Sequence, residues 1–296
     1  VTTATMRLGD LLELVRAPAV LTVLGDTLVG GAASGQPATV RRAALPLASA
    51  CLYAGGMALN DYADRDIDAS ERPERPIPSG RVSPRRALAV ASGLTGAGLA
   101  LAAIGGGRKA FAVAVPLAAC VWVYDTLAKD HPTGPAVMAA CRGLDVLMGA
   151  GAGRLAPALP AATGIAAHTA AVTVLSRGEV HGTSPVIASS AAAVTTAGAA
   201  VVTAGALRRS ARRGALAAAA AAAYVARSLP HQLAAAREPT AQHARVATRQ
   251  GIRSMVPLQA SWAARAGSGG AVAFLAGVEA VGALLRMRVK RTVSET

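Results

Sequence analysis

Residues 44–68 read ALPLASACLYAGGMALNDYADRDID. An uncharged, helix-favouring run ends abruptly in Asn60, Asp61, Asp64, Arg65, Asp66 and Asp68. Such a run is membrane-helix material, and its charged end marks where the helix meets water. Continued as a helix at about 100° per residue, Asp61, Asp64 and Asp68 fall within about 60° of one another. Three carboxylates on one face repel, and charges at the end of a membrane helix are costly and usually functional. A hard divalent cation resolves the repulsion. Mg²⁺ takes a few carboxylates, several waters and phosphate oxygens, which describes a diphosphate site. Asp66 points elsewhere, towards Arg65 or Arg86. The bland alternative is a solvated acidic helix end neutralised by nearby arginines.

The rest of the chain repeats the apolar theme. Of its 296 residues 53% are hydrophobic and 16% charged, where a soluble domain carries about 25% charged. That excludes intrinsic disorder. Cys51, Cys120 and Cys141 lie in apolar runs and one would be left over, which excludes a disulfide scaffold. The net charge is +14, but the arginines punctuate apolar blocks without interleaved aromatics, so a nucleic-acid partner does not fit. Spans are expected near residues 18–33, 44–59, 87–104, 110–124, 136–153, 159–175, 185–207, 215–225 and 271–285. A tenth candidate, 252–266, carries Arg253 and Arg265. No alternation of period two persists, so the spans are helical. The expected fold class is therefore all-α: a polytopic membrane helical bundle of nine or ten transmembrane helices, a single domain over residues 1–296. A cleavable signal peptide is not expected. Small residues throughout permit close helix packing.

Downstream of the aspartates, residues 71–84 read ERPERPIPSGRVSP. Four prolines stiffen this segment, and arginines such as Arg72 and Arg75 can form bidentate bonds to phosphate. Ser83 and Pro84 are the expected N-cap and first residue of the next helix. The basic loop places this end of the bundle in the cytoplasm, with Arg7 and Arg16 beside it. Arg208, Arg209, Arg212 and Arg213 then break the positive-inside rule if every span crosses. The basic tail, Arg286, Arg288, Lys290 and Arg291, favours an even number of crossings.

NDYADRDID followed by RPIPSGRVSP resembles the first aspartate-rich motif and arginine loop of the UbiA family of intramembrane prenyltransferases, and the likeness runs over nearly the whole chain. Tyr124 and Lys129 are similar to a Tyr-and-Lys element of that family. MAACRGLDVLMGA and TRQGIRSMVPLQA look like its EboC-like branch. The resemblance implies a bundle around a central cavity. There, Mg²⁺ held by Asp61, Asp64 and Asp68 would bind an isoprenyl diphosphate, with Asn60 positioning and Arg72, Arg75, Tyr124 and Lys129 on the diphosphate. A hydrophobic acceptor, aromatic or lipid-like, would be alkylated inside the bilayer. The family's second aspartate-rich motif is degenerate here: residues 176–182 read SRGEVHG, leaving Glu179 as the carboxylate candidate for metal, with Arg177 as a possible replacement for a second ion.

Arg142 and Asp145 sit inside the fifth span, where they can bond each other or turn Arg142 to diphosphate or acceptor. Asp26 is either a cavity residue or a helix-packing polar group, His168 either an interhelical hydrogen-bonder or an acceptor-binding or proton-accepting group, and Gln259 and Arg253 are candidates for substrate contact. Asp125 either reaches the cavity or pairs with Lys129. An intramembrane terpene cyclase and a non-catalytic binder of phosphorylated lipid remain open alternatives. The Ala, Arg and Gly bias points to a bacterial inner membrane.

Overall fold

The apolar runs fold as helices, and no strand occurs among the described residues. The computed structural model describes the backbone of residues 6–151 and 153–294 and side chains as far as residue 284. The basic tail from Arg286 to Arg291 therefore lies outside the described side chains. The chain opens with α1 (Leu8–Leu14), α2 (Ala17–Val20) and α3 (Leu24–Ala33), continues through α4 (Ala44–Ala63) and α5 (Arg65–Glu71), and enters α6 (Pro84–Val123). Then follow α7 (Gly134–Ala150), α8 (Leu159–Ser176), α9 (Pro185–Leu207), α10 (Ala211–Arg237), α11 (Ala241–Arg253), α12 (Met255–Ala266) and α13 (Gly269–Ser294).

Several boundaries differ from those expected. The third and fourth runs join without a coil at Gly107, whose φ of 69° and ψ of −161° lie where a side chain is not accommodated. There the chain doubles back: the Trp122 indole donates to Thr95 Oγ1 at 3.1 Å across the hairpin. The run at 215–225 is the middle of a longer helix, α10, whose polar continuation buries Ser228 and Gln232. The candidate at 252–266 starts inside α11 and breaks at Ser254, whose Oγ bonds back to the Gly251 carbonyl at 2.7 Å. Beyond the break, α12 is buried against α3, α10 and α13.

Among the described residues, four helical segments are long and apolar enough to cross a membrane: Arg41–Ala63, Pro84–Ala128, Ala156–Ser176 and Pro185–Leu207. Ala17–Ala33 and Gly269–Leu284 are apolar but shorter. This is fewer than the nine or ten expected. The reasons are local: Pro84–Ala128 merges two runs, α7 carries Arg142 and Asp145, and α12 has only 12 residues.

Loops gather at two ends of the bundle. At one end, Thr183 N donates to the Pro239 carbonyl at 3.0 Å and Arg245 Nε to the Glu179 carbonyl at 2.8 Å. At the other, Ser34 Oγ donates to the Arg154 carbonyl at 2.9 Å and Arg41 Nε to the Ile104 carbonyl at 2.6 Å.

Small residues set the helix spacing, since lipid tails leave no hydrophobic force to press helices together. A Cβ on Gly149 would stand 2.1 Å from the Thr27 carbonyl oxygen, and one on Gly30 would stand 1.8 Å from that of Val146. Thus α3 and α7 meet backbone to backbone. Gly149→Ala is expected to force them apart and cost about 1–3 kcal/mol. Thermal unfolding in detergent measures it; Gly198→Ala, where nothing lies within 4 Å of the added carbon, is the neutral control.

Candidate active site

Helix α4 stops at Asp64, which has φ −87° and ψ 0°, and α5 resumes at Arg65. Hydrogen bonds from Asp64 N to the Asn60 carbonyl and from Asp68 N to the Asp64 carbonyl carry the helical path across the joint. Asp61 and Asp68 keep the shared face that the spacing gives. They are 4% and 2% exposed, whereas the Asp66 side chain is 85% exposed and pairs with Arg65 at 3.4 Å. Burial of two carboxylates is tolerated because cations reach both. Arg75 Nη1 donates to Asp68 Oδ2 at 2.6 Å and to Asp61 Oδ1 at 3.3 Å. Arg72 stands 3.7 Å from Asp68.

Asp64 turns away from this pair. It accepts from Asn60 Nδ2 at 2.7 Å and from Lys129 Nζ. Among the described residues, no three His, Cys, Asp or Glu groups converge on one point. The structure therefore splits the three aspartates into a buried pair on Arg75 and a third on Lys129. Glu179 sits on the turn after α8, held through its backbone by Arg245, and is not brought to the aspartates.

Lys129 arrives by way of a wide turn at Tyr124–Ala128, in which Lys129 N bonds to the Tyr124 carbonyl at 2.9 Å. Turns of this π type cluster at functional sites. This one leaves Lys129 on Asp64 while Tyr124 and Asp125 face a cavity. The alternative pairing of Asp125 with Lys129 is not formed.

One residue of this cluster was read from sequence only as a topology charge. Arg16, in the left-handed region at φ 48°, reaches Asp61 Oδ1 at 3.1 Å and Asn60 Oδ1 at 3.4 Å. Its placement before the first span was visible; its contact with a residue 45 positions away was not.

The cavity has two adjoining lobes of ≈ 540 and ≈ 750 Å³, sharing Tyr53, Met57, Tyr124, Met138 and Arg142. The first, walled by Leu52, Leu117 and Val121, begins at Asp125. The second runs along Thr169, Thr173 and Thr248. Arg142 lines both lobes but is not brought to the aspartate cluster. It stands 3.0 Å from Asp26, also donates to the Thr22 carbonyl at 3.0 Å, and leaves Asp145 to accept from Ser49 at 2.5 Å. The pairing of Arg142 with Asp145 is replaced because the fully buried Asp26 on α3 competes for the guanidinium; Gln259 also donates to Asp26, at 2.7 Å. His168 is an interhelical bonder, its Nε2 at 3.0 Å from the Gly251 carbonyl and its Nδ1 at 2.9 Å from the Tyr224 hydroxyl. The cysteines are free.

Helix α1 is clasped to the arginine loop. Arg81 donates to Asp10 at 2.9 Å and to Glu13 at 2.7 and 3.0 Å. These bonds hold both carboxyls below their ordinary values of 3.8 and 4.5. A depressed folded-state pKa stabilises above the unfolded value and is lost as pH falls through the folded one. A spin label on Leu12→Cys, with the native cysteines replaced by serine, should keep constant mobility from pH 8 to 5. It should loosen only below about pH 4; loosening between pH 8 and 6 would contradict the clasp.

A helical bundle with paired buried carboxylates, arginines and a lysine at one end of an apolar cavity defines an integral membrane protein equipped to handle an anionic head group and an apolar tail. The chain matches the UbiA prenyltransferase family over residues 19–253 and belongs to it. It is 38% identical over 154 residues to digeranylgeranylglyceryl phosphate synthase of Methanopyrus kandleri, covering 50% of this chain and 55% of that protein. The chain thus spans about half the length of such curated relatives. Among solved structures it is similar to a digeranylgeranylglyceryl phosphate synthase in membranes. The TM-score is 0.65 at 18% identity, over 88% of this chain and 98% of that one. It is also similar to a UbiA homolog from Archaeoglobus fulgidus bound to DMAPP and Mg²⁺, with a TM-score of 0.61 at 18% identity, over 84% and 98%. The Methanopyrus synthase and the Archaeoglobus homolog are archaeal; the likeness to the synthase replaces the EboC-like placement, and neither of the two supports the bacterial address.

Proposed function

We propose that the chain transfers an isoprenyl group from an isoprenyl diphosphate to a lipid-like acceptor within the membrane, with Mg²⁺ as cofactor. The observation that carries this is the convergence of Asp61 and Asp68 on one Arg75 nitrogen, with Tyr124 and Asp125 leading from the Lys129 turn into an apolar cavity. The names of the synthase relative and of the Mg²⁺-bound neighbour support it.

The donor set fits Mg²⁺. That ion takes one or two carboxylates and completes its shell with water and substrate phosphate, and Asp61 and Asp68 already share one cationic atom. These two would hold it; Asp64, paired with Lys129, and Glu179, on the turn after α8, stand apart from them. Bound there, Mg²⁺ offsets charge developing on the leaving diphosphate. Arg16, Arg72, Arg75 and Lys129 bind the diphosphate oxygens, the guanidinium groups in bidentate fashion. Asn60 positions Asp64. The Leu52, Leu117 and Val121 wall keeps water from the allylic carbon as its bond to the diphosphate weakens. Tyr124 and Arg142 line the path on which donor and acceptor meet.

The topology follows from the two ends. With the short α1, α2 and α5 set aside, successive helices alternate between them, and α11 with α12 runs from the Pro239 end to the Arg265 end despite the break at Ser254. Counting the two halves of α6 separately, this reading has ten crossings, one membrane domain over residues 1–296, and the aspartate end in the cytoplasm.

The test incubates the purified chain with geranylgeranyl diphosphate and Mg²⁺, with and without a glyceryl phosphate lipid bearing one geranylgeranyl chain. The expected product is acceptor-dependent and heavier by one geranylgeranyl group. A hydrocarbon released without acceptor would replace transfer by cyclisation. Binding without turnover would replace it by a lipid-binding role.

A further inference from the structure

At the end of the bundle away from the aspartates, Arg208 and Arg209 follow α9, Arg212 and Arg213 open α10, and Arg265 lies in the last turn of α12. None of the five has an ion-pair partner among the described residues, although like charges brought together repel. Two are also placed against the helix dipole. Arg212 and Arg213 occupy the first turn of the 27-residue α10, where the partial charge is positive and an anion is favoured.

Their surroundings are shaped. Arg265 Nη1 donates to the Val201 carbonyl at 3.1 Å and its guanidinium stacks 5.0 Å from the Trp262 ring. With Arg209 it rims a depression of ≈ 500 Å³ floored by Pro160, Ala161 and Trp262. The Trp262 indole N–H is buried without a hydrogen-bond partner. On the other side of Gly267, Arg212 and Arg213 rim a second depression of ≈ 630 Å³ over Leu216, Ala264 and Val272. Leu207 and Leu216 are exposed beside them. A cationic rim over an apolar floor, at the end of membrane helices, matches a phosphate that carries acyl or isoprenyl chains. A soluble anion would use the rim and leave the floor uncovered.

We propose that this end binds the head-group phosphates of anionic membrane phospholipids, held by Arg209 with Arg265 and by Arg212 with Arg213. The lipid supplies the counter-charge that the protein lacks there, and so permits a strongly basic loop opposite the cytoplasmic one.

Native mass spectrometry of the full chain in detergent tests this, with dioleoyl phosphatidylglycerol, dioleoyl phosphatidylcholine and inorganic phosphate as the three probes. Phosphatidylglycerol should be retained in preference to phosphatidylcholine. Its affinity should fall about fivefold for each arginine neutralised, in Arg209→Gln with Arg265→Gln and in Arg212→Gln with Arg213→Gln. The second pair removes no side-chain hydrogen bond of the protein, so it remains informative if the first disturbs α12. Equal retention of the two lipids would overturn the proposal, as would unchanged affinity in the second pair. Displacement of phosphatidylglycerol by inorganic phosphate at matching concentration would also overturn it, in favour of a soluble-anion site.

Discussion

Asp68→Asn is expected to lower the proposed Mg²⁺-dependent isoprenyl transfer by about 10²–10³-fold, the scale of removing one charge-stabilising group from a preorganised site. Asparagine keeps the shape of the side chain and removes its charge. Asp68 is almost wholly buried and accepts from Arg75 at 2.6 Å, so no solvent exposure softens the change. Arg75 retains Asp61 at 3.3 Å, which keeps the loop in place and lets the loss be read as chemistry. The Mg²⁺ concentration giving half-maximal rate should rise at the same time. Asp66→Asn is the matched control, two residues away and pointing into solvent, and should leave rate and Mg²⁺ dependence unchanged. Turnover in reconstituted membranes over a Mg²⁺ series decides it; an Asp68→Asn protein within twofold of the parent would remove this carboxylate from the site.

The second large effect concerns stability. Asp26→Ala leaves the buried Arg142 guanidinium without its carboxylate and Gln259 without its acceptor on Asp26. Breaking a buried ion pair from one side costs about 3–5 kcal/mol, whereas replacing both partners by apolar groups of similar volume is often neutral. The double variant Asp26→Leu with Arg142→Met should therefore recover most of the loss. A cycle of Asp26→Leu, Arg142→Met and the double variant, read by detergent unfolding, measures the coupling. A single-variant cost below about 1 kcal/mol would mean that water or another group already serves Arg142.

Helical periodicity made the shared face of Asp61 and Asp68 legible, and the outward turn of Asp66, because residues on one helix face are fixed by a 3.6-residue repeat. The N-cap at Ser83 was equally local: its hydroxyl accepts from Arg86 N at 3.4 Å. Family membership rested on the same contiguous stretch. Span lengths were less legible. Apolarity marks where lipid is tolerated, but α10 continues through polar residues such as Ser228, which bonds the Ser254 hydroxyl at the α11–α12 break, and α12 is short because it is bounded by that break and by Gly267.

What the order of residues determined by itself is whatever one helix can hold: the apolar runs, the aspartate spacing, the stiff basic loop. What the tertiary structure alone decided is which distant cation meets which carboxylate. Arg16 comes to Asp61, Lys129 to Asp64, and Arg142 to Asp26 in preference to its near neighbour Asp145. Each choice depends on the distance at which two helices pack, and Gly30 and Gly149 set one such distance by having no side chain. A one-dimensional pattern carries no term for that distance, since the energy of a buried charge depends on its surroundings in space rather than on its neighbours along the chain.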